Sequence, residues 1–345
     1  MLVNREELAA DIARLKPALR STSQIAALRH LWLTPEGYYA FDGGFGIHLP
    51  RENIEVNCGV PGSTFMALLD TSPVKELKLE KKNSALNISF GKTTSKLASL
   101  DADGRVWPFP EDVGKVKPLE LGEEFIEALR RTLFVKARPA TRVEHHGVMM
   151  VRNKKNVELY ATDTNTMVRA VVEGAGGVAF ESVLLPRDFA EQIVSQCPSG
   201  VALYILDGCL VAMSDDVRLY SNLLDTSSAD DMAGIVSRLS EDHEEPVPLP
   251  AGLAGALERA LILAGSELPA VSAKIEKNGL VLSAEYQLGA LSETLKLEGK
   301  LPAAELRFNA EHVKRALPFS ESFSLNDKTL MLTGEPGFTY LVSSL

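Results

Sequence analysis

Three residues, two histidines and an aspartate, have the types that metal binding or general-base catalysis needs. His145 and His146 are adjacent, and Asp163 follows them. Adjacent residues of a strand point to opposite faces of a sheet, so the two imidazoles cannot readily share one ion. The three cysteines have neither metal-ligand spacing nor an even number. We therefore predict no catalytic residue and no metal site, and a hydrolase on an unrelated β-rich fold would depend on this set alone.

Three glycine-containing stretches imitate functional loops. FGKTTSK (90–96) contains Gly-Lys-Thr, but the phosphate-binding motif needs a glycine where this chain has Leu86. GAGGVA (174–179) imitates a dinucleotide fingerprint, which must open a helix, whereas the following residues have the pattern of a strand. DGGFG (42–46) suits a tight turn. We predict turns of β-hairpins at all three stretches, and no cofactor.

The bulk composition limits the class of protein. A chain of 345 residues with 45% hydrophobic and 24% charged residues predicts a globular protein of two or three domains. The formal net charge of −10 argues against a simple basic nucleic-acid binder, although it does not say where the charges lie. No apolar run spans a bilayer and the N-terminus lacks the pattern of a secretion signal, so a cytoplasmic location is expected. SEDHEE (240–245) is predicted to be a solvated linker.

Amphipathic helices are predicted at regular intervals. One series starts near Asn4, Gly122 and Pro250, and a second starts near Pro61, Pro186 and Asn309, with about 120 residues between successive members of each series. Proline in the first turn and asparagine at the N-cap are typical helix starts. Short β-like runs lie between and after the helices in every block.

Strand ends repeat with the same interval. YAFD, YATD and LSAE place Asp42, Asp163 and Glu285 about 120 residues apart. The agreement of strands with helices predicts three domains, 1–118, 119–244 and 245–345, each built as helix, strands, helix, strands. The turn after the second of these strands, ATDTNT, contains neither glycine nor proline, which leaves open what holds it.

The chain resembles bacterial-type DNA sliding clamps, the beta subunit of DNA polymerase III, over essentially its whole length. The resemblance is most specific in VELYATDTNTM, SVLLPRDFAEQI and VRLYSNLLD, and it extends to WPFPED, RFNAEHVKRAL and YLVSSL. It implies an α+β fold, the DNA clamp fold. Three repeated domains would each have two helices lining the inside and antiparallel sheets outside, and the chains would form a ring.

Three departures from the family pattern fall where the resemblance places the partner-peptide site. The family's Gly-His-Arg-Leu after A-T-D is Thr-Asn-Thr-Met here (164–167), and its Phe-Pro after Leu-Leu-Asp is replaced by SSADD (227–231). The C-terminal Met-Pro-Met-Arg-Leu is missing, and the chain ends in Ser-Ser-Leu (343–345). This pattern suits a phage-encoded or otherwise divergent clamp with its own polymerase.

The resemblance implies a processivity factor and not an enzyme. The expected partners are duplex DNA bound without sequence preference, a polymerase, an ATP-dependent clamp loader and a second copy of the chain in a homodimer, with no membrane. Its place would be the cytoplasm, or the host cytoplasm or nucleoid for a phage protein. The alternative is a clamp-folded interaction protein that binds replication proteins without encircling DNA.

The resemblance also implies two sets of site residues. Basic side chains on inward-facing helices and nearby loops would contact phosphates. These candidates are Arg14, Lys16, Arg20, Arg130, Arg131, Lys136, Arg138, Arg142, Lys314 and Arg315. A groove between the second and third domains would bind partner peptides through hydrophobic anchors. Its candidates are Thr162, Thr164, Asn165, Thr166, Met167, Ala229, Ile235, Tyr340, Leu341, Val342 and Leu345.

Overall fold

A computed structural model describes residues 1–20, 22–136, 142–175, 180–227, 229–277 and 279–345. These residues form two compact units, Met1–Gly122 with Glu191–Leu223, and Glu123–Ala190 with Leu224–Leu345. The helices are α1 (Arg5–Arg14), α2 (Gly62–Asp70), α3 (Glu123–Thr132), α4 (Arg187–Gln196), α5 (Met232–Glu241), α6 (Leu253–Ala264) and α7 (Ala310–Ala316). None of the described helices is long and apolar enough to cross a membrane.

The strands of the first unit form one sheet of eight strands and one of four. They are β1 (Leu2–Asn4), β2 (His30–Thr34), β3 (Gly37–Phe41), β4 (Phe45–Pro50), β5 (Cys58–Pro61), β6 (Glu76–Lys82), β7 (Ala85–Phe90), β8 (Thr93–Ala98), β9 (Leu119–Gly122), β14 (Gly200–Leu206), β15 (Cys209–Met213) and β16 (Arg218–Asn222). The large sheet has the order β5-β2-β3-β4-β16-β15-β14-β9, and the small one β1-β6-β7-β8.

The second unit repeats this composition. Its strands are β10 (Gly147–Asn153), β11 (Asn156–Thr162), β12 (Thr166–Val172), β13 (Ser182–Pro186), β17 (Val247–Pro248), β18 (Ala270–Glu276), β19 (Gly279–Tyr286), β20 (Gly289–Leu295), β21 (Glu305–Asn309), β22 (Ser322–Leu325), β23 (Thr329–Gly334) and β24 (Phe338–Ser343). The large sheet has the order β13-β10-β11-β12-β24-β23-β22-β17, and the small one β20-β19-β18-β21.

Two kinds of four-stranded half make up these sheets. In one kind the outer strand leads into the second helix of a block, as β5 and β13 do, and in the other it precedes the first helix, as β9 does. The two kinds join through antiparallel central strands, β4 with β16 and β12 with β24. The small sheets are one half of each kind, so β20 is the equivalent of β4 and β12, while β8 is the equivalent of β16 and β24. Within the described residues, β8 and β20 are sheet edges.

The six predicted helices are confirmed, and local chemistry explains their starts. The Asn4 side chain accepts hydrogen bonds from the first backbone N–H groups of α1, and Asn309 does the same for α7. In α3 one face is buried, including Phe125 and Leu129, while Arg130 on the other face is exposed. The helices and antiparallel sheets together confirm the α+β fold class. The division into three domains stays a prediction.

Two predictions along the chain require correction. The stretch 174–179 does not turn a hairpin, because β12 pairs with β11 and β24 while β13 pairs with β10; residues 176–179 themselves lie outside those described. The acidic run 240–245 is not wholly a linker, since its first two residues end helix α5. The hairpins at 42–46 and 91–92 are confirmed, with Gly43 and Gly91 at positive φ.

Candidate partner-binding groove

The side chain of Asp163 holds the turn that lacks glycine and proline. Its Oδ1 accepts hydrogen bonds from the backbone N–H groups of Asn165 (3.1 Å) and Thr166 (2.8 Å) and from the Thr166 hydroxyl (2.9 Å). Thr164 takes a positive φ of 80° within this turn. An aspartate that caps its own turn replaces the usual turn residues. Asp42 holds the turn between β3 and β4 in the same way.

A groove of about 440 Å³ lies beside this turn in the second unit. Thr162 and Thr166 contribute to one wall. Leu341 and Ser343, near the end of strand β24, contribute to the same groove. The Ser343 backbone N–H donates to the Asn165 carbonyl (2.9 Å), which fixes β24 against the turn. The groove is therefore formed by segments that are far apart in sequence but hydrogen-bonded in the structure.

Helix α5 forms the other wall. Asp231 is its N-cap, with Oδ1 accepting from the Gly234 N–H at 3.0 Å. Met232, Ile235 and Leu239 lie on the groove face of the helix, at the spacing of one helical face. Met232 and the neighbouring Val236 also belong to a buried hydrophobic cluster that anchors the helix on the sheet. The helix thus gives the groove an apolar lining of the kind that binds hydrophobic peptide anchors.

Seven of the eleven predicted groove residues lie together along this cavity. They are Thr162, Thr164, Asn165, Thr166, Met167, Ile235 and Leu341. Ala229 packs against the adjoining apolar cluster. Tyr340 and Val342 are buried beside Leu341, and the Tyr340 ring contacts Phe134 instead of the cavity, because successive strand residues face opposite sides. Leu345 is exposed, and its N–H donates to the Arg307 carbonyl (2.8 Å).

Sequence reasoning missed several residues of the groove. The missed residues are Glu144, His145, Asp230, Met232, Leu239 and Ser343, and Arg142 was assigned to DNA instead. The apolar spacing within α5 was a usable signal for Met232 and Leu239. His145 lies in a 3-10 turn (Val143–His146) and not on a strand, so its predicted separation from His146 rested on the wrong element. Nothing in the sequence marks Glu144 as a buried residue.

The charges of the groove are unequally paired. The Arg142 guanidinium donates to the Asp230 carboxylate at 2.5 Å and lies 3.8 Å from an oxygen of Glu144. Glu144 has a side chain only 1% exposed, and neither of its oxygens accepts a hydrogen bond within the described part of the chain. Arg142 itself is 64% exposed. A buried carboxylate without hydrogen bonds is unusual, because desolvation of a charge is costly.

A second buried glutamate lies on the other side of α5 and is fully paired. Glu158 Oε1 accepts from Arg169 (2.8 Å) and Asn153 (2.8 Å), and Oε2 accepts from the Tyr160 hydroxyl. Burial raises the pKa of Glu158, but these hydrogen bonds outweigh it and hold the pKa below the ordinary value. Burial, followed by the bond to Glu158, raises the pKa of Tyr160. The cluster is an internal salt bridge that fixes β11 to β12.

The three cysteines are buried free thiols. Burial raises the pKa of Cys58 and of Cys197 to about 11 and also raises the pKa of Cys209. Thiols with such pKa values stay protonated at neutral pH, and the thiolate is the form that attacks carbon or binds metal. These cysteines therefore act as small apolar core residues.

The predicted DNA contacts fall into two groups. Several are held by acidic neighbours: Arg14 by Asp216, Arg130 and Arg131 by Glu127, Arg142 by Asp230, Lys314 by Glu258, and Arg315 by Glu311. Lys16, Arg20 and Lys136 are exposed and form no ion pair with the described residues. Arg138 lies outside the described residues. The DNA-binding role of all of them stays a prediction.

Solved structures share this fold along the whole chain. No protein-family model matches the sequence, and no curated protein matches it. The beta chain of DNA polymerase III from Streptococcus pneumoniae has a TM-score of 0.87 at 17% identity, covering 100% of this chain and 98% of that chain. The beta subunit from Streptococcus pyogenes has a TM-score of 0.86 at 19% identity, with 100% and 99% covered. The sliding clamp from Bacillus subtilis has a TM-score of 0.84 at 16% identity, with 100% and 98% covered.

The fold is accordingly that of a DNA clamp, as the sequence predicted. Among DNA clamps, the solved structures that this chain is similar to are beta subunits of bacterial DNA polymerase III. Identities of 15–19% show a shared fold and leave the site residues to be argued from this chain's own geometry.

Proposed function

We propose that this protein is a DNA sliding clamp, a non-enzymatic processivity factor that encircles duplex DNA and tethers a polymerase. The likeness of the complete chain to sliding clamps supports this proposal. A closed ring retains DNA because the strands cannot leave without ring opening, so retention needs neither a catalytic group nor tight contacts. An ATP-dependent loader would open the ring, and the protein would act with its DNA in the cytoplasm or nucleoid. The rewritten segments around the groove support a divergent replisome, such as that of a phage.

The observation that carries the proposal is the pair of half-sheets with open edges. Within each unit, a half of one kind joins a half of the other kind through equivalent strands, β16 with β4 and β24 with β12. The two small sheets are the remaining halves, one of each kind, and the strands that would form such a junction, β8 and β20, are edges. If β8 of one copy paired with β20 of another, the same junction would form a third time. Because each chain carries one edge of each kind, the contact is heterologous, and two copies with two such contacts would close into a ring.

Exposed apolar side chains next to β20 support this contact. Leu288 is 70% exposed in the turn before β20, and Ile262 on α6 and Leu268 after it are 69% and 58% exposed. Helix α6 packs against β20. An uncovered edge strand flanked by large apolar side chains is a feature that proteins avoid unless a partner covers it. We assign this surface to the second copy of the chain.

The unpaired basic residues are the best candidates for the DNA surface. Lys16, Arg20 and Lys136 are exposed, and their charges are not offset by ion pairs with described residues. Contacts from such side chains to phosphates carry no sequence information, which is what sliding requires. The acidic balance of the chain as a whole would repel DNA from other surfaces and favour threading through a hole.

Electron microscopy of the purified protein tests the proposal directly. We expect closed rings in two-dimensional class averages, with a hole wide enough for duplex DNA, and a native mass of two chains. The double variant Ile262→Asp and Leu288→Asp should give monomers, because it places charges in the proposed contact. Leu2→Asp is the matched control, since Leu2 is also an exposed apolar residue (73%) but lies on β1, at the opposite edge of its sheet from β8.

Retention on DNA provides the second readout. Protein placed on nicked circular duplex by a bacterial clamp loader with ATP should stay on it at high salt and be released when the circle is cut. The variant with Lys16, Arg20 and Lys136 changed to Glu should form rings but load poorly. Compact particles without a hole, or retention that survives cutting of the circle, would contradict the clamp and favour an interaction protein that does not encircle DNA.

A further inference from the structure

The groove contains one basic side chain for two carboxylates. Arg142 is the one lysine or arginine among its described lining residues, and it is shared between Asp230 and Glu144. The shorter contact, at 2.5 Å, goes to Asp230. Glu144 has the cation at 3.8 Å but receives no hydrogen bond from it. A single guanidinium therefore has to offset two carboxylates, and Glu144 is left with an ion-pair neighbour but no hydrogen bond from a described residue.

The other polar groups of the groove do not supply the missing donor. The Nδ1 atom of His145 makes no hydrogen bond within the described residues, so this ring does not hold Glu144 through that atom. Asp163 adds a third negative charge near the cavity and already accepts three hydrogen bonds from its own turn. The Ser343 backbone N–H is used by the Asn165 carbonyl. The side chains of the groove thus carry a surplus of negative charge.

A buried carboxylate without hydrogen bonds is costly to keep. Removing a charge from water destabilises the fold unless hydrogen bonds replace the lost solvation. Such a group is understandable where a ligand supplies the missing donor. The neighbouring apolar side chains, Met167, Ile235 and Leu341, suit a ligand that also offers hydrophobic groups.

We propose that the partner segment bound in this groove carries a lysine or arginine side chain beside its apolar anchors, and that Glu144 together with Asp230 selects it. This inference rests on the proposed function only in taking the groove as the partner site. The incoming cation either reaches Glu144 or takes over Asp230 and lets Arg142 turn to Glu144. In both arrangements two cations face two carboxylates, and the charge of the site is balanced.

Selection from a library of random displayed peptides tests the inference without knowledge of the partner. The full-length protein is immobilised, and recovered peptides are retained if their binding is lost in the Ile235→Gln variant, which identifies groove binders. We expect lysine or arginine to be enriched at a fixed distance from an apolar residue. For a recovered peptide, replacement of that basic residue by methionine should weaken binding about tenfold or more.

Variants of the groove then assign the effect to the two carboxylates. In Glu144→Gln and in Asp230→Asn, the same lysine-to-methionine change should cost about twofold or less, because one cation now suffices for the remaining carboxylate. Glu241→Gln is the matched control. It also removes one carboxylate charge, but Glu241 lies at the end of helix α5 and is not among the residues of the groove. This control should keep the full preference.

Several outcomes would overturn the inference. These are groove binders without enrichment of basic residues, a preference that persists unchanged in Glu144→Gln and Asp230→Asn, or no groove-dependent peptide at all. Binding of Mg²⁺ or Ca²⁺ that is lost in Glu144→Gln would also overturn it, because the missing cation would then be a metal. Ring formation by the same preparations separates the two proposals: intact rings without basic preference refute this inference alone, and basic preference without rings refutes the clamp alone.

Discussion

Two buried glutamates on either side of one helix have opposite environments. Glu158 is 5% exposed and receives hydrogen bonds from Arg169, Tyr160 and Asn153, whereas Glu144 is 1% exposed and receives none from described residues. Helix α5 presents one face to each of them. The burial is alike, so burial alone does not decide what a charged residue does. A carboxylate with all its hydrogen bonds stabilises the fold, whereas we expect one without them to stabilise a bound cation instead.

The largest effect is expected from removal of the paired glutamate. Glu158→Ala leaves the half-buried Arg169 guanidinium without its carboxylate and should lower the free energy of unfolding by about 3 kcal/mol. Urea denaturation followed by fluorescence measures it. Glu241→Ala, an exposed glutamate on α5, is the control and should change stability by less than about 0.5 kcal/mol. Equal effects of the two variants would mean that the Glu158 cluster contributes no more than a surface charge.

The opposite sign is expected at Glu144. In Glu144→Gln the buried charge disappears while the shape is nearly kept, so the free energy of unfolding should rise by about 1–2 kcal/mol. The same urea experiment measures it, with Glu158→Gln as the matched comparison, which should be destabilising. A loss of stability in Glu144→Gln would show that the carboxylate has a partner in solution and would remove the contrast between the two sites.

The sequence predicts those parts of the fold that local chemistry determines. Asn4 and Asn309 cap the helices that follow them, and Asp163 caps its own turn. Because these residues are next to the elements they start or end, the repeated helices and strand ends could be recognised from the sequence. Helix α5 was missed although its signals were present. Asp231 is a good N-cap, but the following acidic run suggested a linker and obscured the apolar spacing.

Glu144 could not have been predicted because its burial is a tertiary property. Glutamate is rarely fully buried, so its type argues for the surface. It lines the groove together with residues that are distant in sequence, including Asp230, Ile235 and Leu341. The same reason explains Tyr340 and Val342: a strand at the groove places alternate residues on opposite faces, and the sequence did not say which face of β24 points to the groove.

The smallest effect is expected at the cap of the helix that separates the two glutamates. Asp231→Ala removes the hydrogen bond to the Gly234 N–H and should lower the free energy of unfolding by about 1 kcal/mol. Asn309→Ala, which removes the cap of α7, should cost a similar amount and is the matched control. Only Asp231→Ala should also weaken binding of the selected peptides, because α5 carries one wall of the groove. Equal peptide affinity in both variants would show that the order of α5 does not matter for the groove, and that the two glutamates differ by their direct partners alone.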